Sequence, residues 1–149
     1  MPNKFTRADV VAEARTWLDT PFQHQGCLKG VACDCIGLIK GVGLALGVLE
    51  YDPTSKEAQP YLAYSRLPDS KMMRKALSTF FTPIDVTEAL PGDFYYMAWV
   101  REPQHVALLT DRGIIHGYEG GPGKVVEHGL DERWQRRIVG AYRYKYFTE

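Results

Sequence analysis

Neither sign of charge is in surplus: 18 Lys and Arg face 18 Asp and Glu over 149 residues. So balanced a chain offers no electrostatic footprint for nucleic acid or for an anionic membrane surface. Long apolar runs are missing as well. A membrane-spanning helix needs roughly 20 apolar residues, and the best candidate, Ile36 to Leu49, is interrupted by Gly37, Lys40, Gly41, Gly43 and Gly47. The opening residues, Met1 to Arg7, lack the apolar core of a secretory signal. Cysteine is scarce and odd in number. Three thiols cannot complete a set of disulfides within one chain, so reduced cysteines and synthesis in a bacterial-type reducing cytoplasm are expected. Repeats, low-complexity tracts and charge blocks are also absent, and 149 residues fit one domain spanning 1–149.

What is present reads as a globular chain, since 45% apolar and 24% charged residues are enough to exclude disorder. Thr6 suits an N-cap, and Val10, Val11, Ala14, Trp17 and Leu18 form one apolar stripe, predicting a first helix that Asp19-Thr20-Pro21 ends. A polar, glycine-bearing stretch follows from Phe22 to Asp34. From Cys35 to about Leu46 the chain is apolar almost all round, which predicts a buried helix closed by Gly47. Gly37 and Gly41, one turn apart, would let another backbone approach it. Glu50 to Asp69, with Pro53, Pro60 and Pro68, reads as a long irregular excursion, and Ser70 to Phe80 as a third helix.

Beyond Pro83 the texture changes. Phe94–Val100, His105–Thr110, Gly113–Tyr118, Lys124–Glu127 and Arg137–Tyr144 are short segments rich in β-branched and aromatic residues. Helices first and strands second predict an α+β domain, its antiparallel sheet packed on the N-terminal helices.

The chemistry gathers around Cys35, at the junction of a loop and a buried helix. Unsatisfied N–H groups at a helix start favour thiolate over thiol, and the same amides can hold an oxyanion. A nucleophile needs a base, and there are four histidines. His105 heads an apolar strand, on the face of Ala107 and Leu109. His116 follows eleven residues later, beyond an Asp111-Arg112-Gly113 turn. With Arg112-Gly113 as a two-residue loop, 109 pairs with 116 and the two histidines share a face. A three-residue loop would separate them. A metal site is the chemical rival: His24, Cys27, Cys33 and Cys35 could supply four zinc ligands, although a C-x-C pair is tight for tetrahedral geometry. Glu119 and His128 read as surface residues, and Arg133, Arg136 and Arg137 as a small basic cluster beside Trp134.

Asp34-Cys35-Ile36-Gly37-Leu38-Ile39 resembles the D-C-S-G-L-V signature of NlpC/P60 cysteine peptidases, which cut bacterial cell-wall peptides. Trp17-Leu18-Asp19-Thr20-Pro21-Phe22, Leu90-Pro91-Gly92-Asp93-Phe94, His105-Val106-Ala107-Leu108-Leu109 and Ile114-Ile115-His116-Gly117 are similar to the family's other segments, in the same order. The stretches 20–26, 113–120 and 134–143 look most like its phage-type branch, whose members belong to tail modules of phages and phage-like particles. The resemblance implies a papain-like fold, Cys35 as nucleophile, His105 as base and His116 as the group that orients it, with no cofactor. Asp34 matches a position that helps hold a substrate amine. Phe22 stands where the family usually has a tyrosine and Ile36 where it has a serine, so two hydroxyls are missing, and Gln23, His24 or Gln25 could replace the first. The implied partners are peptidoglycan stem peptides, cut between D-glutamate and a diamino acid, and other tail proteins. The alternatives are a tail component with a silent site and a zinc-stabilised module without enzymatic activity.

Overall fold

The first helix starts where its cap suggests. The Thr6 hydroxyl accepts from Asp9 N–H while the Asp9 carboxylate accepts from Thr6 N–H, closing two groups that a helix start leaves open. The structure, a computed structural model, describes residues 5–52, 54–56, 70–98, 105–121 and 123–145. In it α1 spans Arg7–Arg15. Val10, Val11, Ala14 and Trp17 are buried as the stripe requires, but Leu18 is 37% exposed. The helix ends before it, and the turn from Thr16 to Asp19 swings Leu18 off the apolar face.

The glycine-bearing stretch holds a small hairpin, β1 (Cys27–Leu28) with β2 (Ala32–Cys33). Two-residue strands have no periodicity to betray them. α2 then spans Cys35–Leu46, ended by Gly47 in the left-handed conformation at φ 72°. A methyl group on Gly37 would lie 1.9 Å from the Gly26 carbonyl oxygen, and one on Gly41 would lie 2.4 Å from the Trp17 ring. The close approach expected at both glycines is therefore a backbone at Gly37 and an indole at Gly41. α3 covers Ser70–Phe80 and buries Met73 and Leu77. The excursion expected between α2 and α3 lies mostly outside the described residues.

The strands are β3 (Thr82–Ile84), β4 (Phe94–Met97), β5 (His105–Thr110), β6 (Gly113–Tyr118), β7 (Lys124–His128) and β8 (Ile138–Arg143), with a short α4 (Glu132–Gln135) before the last. β3 and α4 are additions to the sequence reading. β4 stops at Met97, short of the expected Val100, which lies outside the described residues. The six strands form one sheet in the order β3-β8-β4-β5-β6-β7, antiparallel at every junction. This is the α+β arrangement expected.

Strand alternation gives the sheet two faces. Phe94, Tyr96, Val106, Leu108 and Ile115 join Val10, Ala14, Leu38, Ile39 and Val42 of α1 and α2 in the main core. Tyr95, Met97, Ala107, Ile114 and Ala141 form a smaller cluster with Trp134 on the other side. Asp93, fully buried ahead of β4, is held by Arg7 at 2.9 Å and Arg143 at 3.1 Å and also accepts from Leu90 N–H. Its charge is thus paired and hydrogen-bonded, as burial demands.

Candidate active site

α2 brings Cys35 to the head of β5. Asp34 caps the helix: one carboxylate oxygen accepts from Gly37 N–H at 2.7 Å, the other from Gln25 N–H at 2.7 Å. Its side chain is buried and engaged by backbone. The carboxylate that the resemblance assigns to holding a substrate amine also fixes the Cys35 loop. Gly117 completes the approach, since a Cβ there would sit 2.9 Å from the Asp34 carbonyl group. Only a bare backbone on β6 lets the start of α2 settle this close to the sheet.

Cys35 is half-buried, and its sulfur is met by the backbone N–H groups of Val106, Ile36 and Cys35 itself. Val106 directly follows His105, so the thiol lies beside the strand that carries the candidate base. The amides favour the thiolate, as the helix start suggests. Two opposing effects are larger: burial, then the nearby Asp34 carboxylate, which together push the thiol up to about 12.

The β5–β6 hairpin joins the two histidines. Its loop is Asp111-Arg112, with Thr110 opposite Gly113 and Leu109 opposite Ile114. That loop lies one residue earlier than the Arg112-Gly113 loop weighed from sequence, so every pairing moves by two and the parity survives. His116 shares the face of His105, and His105 Nε2 lies 2.5 Å from His116 Nδ1. Burial holds both rings neutral, driving His105 down to about 3 with help from the Arg137 charge and His128, and His116 well below the ordinary histidine value.

A third ring continues the row. His116 Nε2 lies 2.9 Å from His128 Nε2, and His128 Nδ1 lies 2.9 Å from the Gly129 carbonyl oxygen. His128 therefore belongs to the site, not to the surface as its sequence context suggested. Tyr118 stacks on His116 with ring centres 5.2 Å apart, and Trp134 closes edge-on over His116 at 5.0 Å. Arg137 lies over the outer indole face at 4.6 Å. The signal for His128 was its pairing with Ile114, which puts it on the His116 face. The expected strand ended at Glu127, one residue short of it.

Phe22 and Gln23, the other expected site residues, are held by backbone bonds. Phe22 is half-buried, its N–H donating to the Gly123 carbonyl, and Gln23 is exposed, its N–H donating to the Cys33 carbonyl. The suggested zinc ligands do not converge. The Cys27 thiol donates to the Gly37 carbonyl at 3.2 Å and the Cys33 thiol to the Asp34 carbonyl at 3.1 Å. Among the described residues no three His, Cys, Asp or Glu side chains group as metal ligands.

No protein-family sequence model matches the chain, and no curated protein is similar to it at the sequence level. Solved structures are similar to it in fold. A lipoprotein-like NLP/P60 family protein of Staphylococcus aureus superposes over 96% of this chain and 43% of its own, with a TM-score of 0.59 and 21% identity. An NlpC/P60 family protein of Bacillus cereus covers 95% of this chain and 41% of its own at a TM-score of 0.64 and 18% identity. The NlpC/p60 domain of the peptidoglycan hydrolase SagA covers 92% of this chain and 97% of its own at 0.57 and 22%. The chain thus spans less than half of the first two proteins and nearly the whole of the SagA domain. Its six-stranded sheet, with Cys35 at the start of α2, has the papain-like fold of NlpC/P60 domains.

Proposed function

We propose that the chain is a cysteine peptidase that cuts peptidoglycan stem peptides. The observation that carries this reading is the arrangement of Cys35 at the start of α2 beside the strand of His105, itself hydrogen-bonded to His116, in a fold shared with a peptidoglycan hydrolase domain. Each part supplies one need of acyl transfer. The Cys35 sulfur attacks the scissile carbonyl carbon as its proton passes to His105. The N–H groups of Cys35 and Ile36, which face the sulfur, are placed to receive the oxyanion. Collapse of the tetrahedral species breaks the C–N bond, and His105 returns the proton to the leaving amine. Water then attacks the thioester carbon as His105 takes its proton, the C–S bond breaks, and His105 returns the proton to the Cys35 sulfur. The sulfur's own hydrogen-bond partners are backbone amides, so thiol and imidazole must close on each other when substrate enters.

The bond is the one between D-glutamate and the diamino acid, and the delivery is by a phage-like tail. Both follow from the motif likeness, in particular the stretches 20–26, 113–120 and 134–143. With Asp34 engaged by backbone and with Phe22 and Ile36 replacing hydroxyl-bearing residues, the pocket differs from one that grips the free amine of a small recycled peptide. Intact wall, in which that amine is amide-linked, is the substrate. Mass spectrometry of purified sacculi before and after incubation tests this. The expected fragments begin with the diamino acid and disappear with Cys35→Ala. Cleavage of free tri- or tetrapeptides with sacculi untouched would replace the tail role with recycling, and no cleavage of either would overturn the peptidase reading.

A further inference from the structure

The contacts of the histidine row have a direction. A carbonyl oxygen only accepts, so the 2.9 Å contact between His128 Nδ1 and Gly129 O puts a proton on Nδ1 of His128. When His128 is neutral, its lone pair is then on Nε2, where it accepts from His116 Nε2–H across 2.9 Å. That leaves the His116 lone pair on Nδ1, which accepts from His105 Nε2–H. The lone pair of His105 is therefore on Nδ1. Run the other way, a neutral His128 would set its lone pair against the lone pairs of the Gly129 carbonyl, whereas a doubly protonated His128 would donate at both ends and reverse the order. With His128 neutral, one backbone oxygen at the outer end thus decides the tautomer of a ring two residues inward.

The surroundings keep that order. Burial holds His105 and His116 neutral, so neither ring carries the second proton that would erase the direction. Tyr118 and Trp134 pack against His116, and Trp134 also lies 5.0 Å from the His128 ring, so the rings cannot turn over freely. His128 is the half-buried member, bordering an open cleft with Asp131, Arg133 and Trp134.

We propose that His128 is a positioning residue: anchored on the Gly129 carbonyl, it orients a chain of three imidazoles so that His105 keeps its lone pair on Nδ1, the nitrogen not engaged by His116. The proposal rests on the reading of His105 as the base, which needs a lone pair and not a proton to accept from the Cys35 thiol. His128 itself touches neither substrate nor sulfur in this scheme. It acts through two rings, as outer partners of a metal-bound or catalytic histidine do.

The test is nitrogen-15 NMR of the histidine rings in the full chain, with parent, His128→Gln and His128→Leu. A glutamine amide oxygen accepts from His116 as the imidazole did, whereas leucine offers nothing. The expected result is His105 protonated on Nε2 in the parent and in His128→Gln, and a mixture of both tautomers in His128→Leu. Alkylation of Cys35 near neutrality should fall roughly tenfold in His128→Leu and recover in His128→Gln. A parent His105 protonated on Nδ1 overturns the proposal without any variant, as does an unchanged tautomer in a folded His128→Leu. Sacculus digestion separates the two readings. The expected tautomers with uncut sacculi defeat the peptidase alone, and cut sacculi with the opposite tautomer defeat the positioning role alone.

Discussion

On one face of β5 and β6, Val106, Leu108 and Ile115 pack with Val10 and Leu38 from the helices. On the other, His105, Ala107, Ile114 and His116 share the shelter of Trp134 and Tyr118. The same two strands build both by simple alternation. On the helix side shape and volume decide stability, and a substitution there is felt in the packing. On the histidine side the rings are as thoroughly buried, yet what matters is which nitrogen holds a proton. The difference teaches that burial has two uses here. It supplies apolar free energy on one face, and on the other it holds imidazoles neutral and ready to accept.

Substitutions can break this contrast by moving the wrong observable. The largest effect is Cys35→Ala, which should abolish peptidoglycan cleavage and leave the melting temperature close to that of the parent. Cys27→Ala and Cys33→Ala should keep activity. Asp93→Asn should behave in the opposite sense, since removing one partner of a buried ion pair leaves Arg7 and Arg143 facing a neutral amide. Denaturant unfolding should register a loss of about 3 kcal/mol with little change in the reactivity of Cys35. Gly41→Ala, pushing a methyl group into the Trp17 ring, should cost about 2 kcal/mol by the same measurement.

Acid gives a subtler probe of the histidine face. His105 and His116 are neutral when folded and ionise freely when unfolded, so the unfolded chain binds more protons once the pH drops below about 6.5. Their contribution is complete above that value and is lost as the pH falls towards about 3, the point at which folded His105 ionises. The slope is at most about 1.4 kcal/mol per pH unit for each ring. Melting temperatures from pH 7 to pH 5 should therefore fall, and less steeply in a folded His116→Phe variant.

The sequence made legible whatever is carried by periodicity and caps. α2 and α3 came with their limits, Thr6 and Gly47 as caps, and the strand with His105 at its head. The sharing of a face by His105 and His116 followed from hairpin parity alone, despite a loop placed one residue late. What escaped was what periodicity cannot carry. β1 and β2 are two residues each, and β3 contains Pro83. His128 depended on the register of β7 against β6 and on one more residue of β7. Asp34 showed its position but not its bonds, because whether a carboxylate caps a helix or holds a ligand depends on which N–H groups arrive from elsewhere, here that of Gln25. The thiol also runs against its local context, since burial and Asp34 outweigh the helix start.

The central claim is that the histidine face activates a sulfur delivered from the helix side. Its most direct test is the rate at which iodoacetamide alkylates each cysteine at pH 7, followed by peptide mass spectrometry in the parent and in His105→Ala. Cys27 and Cys33, whose thiols donate to backbone carbonyls, serve as internal references. Cys35 is expected to react first in the parent and to slow by roughly a hundredfold when its base is removed, while the references do not change. Equal rates for Cys35 in the two proteins would contradict it.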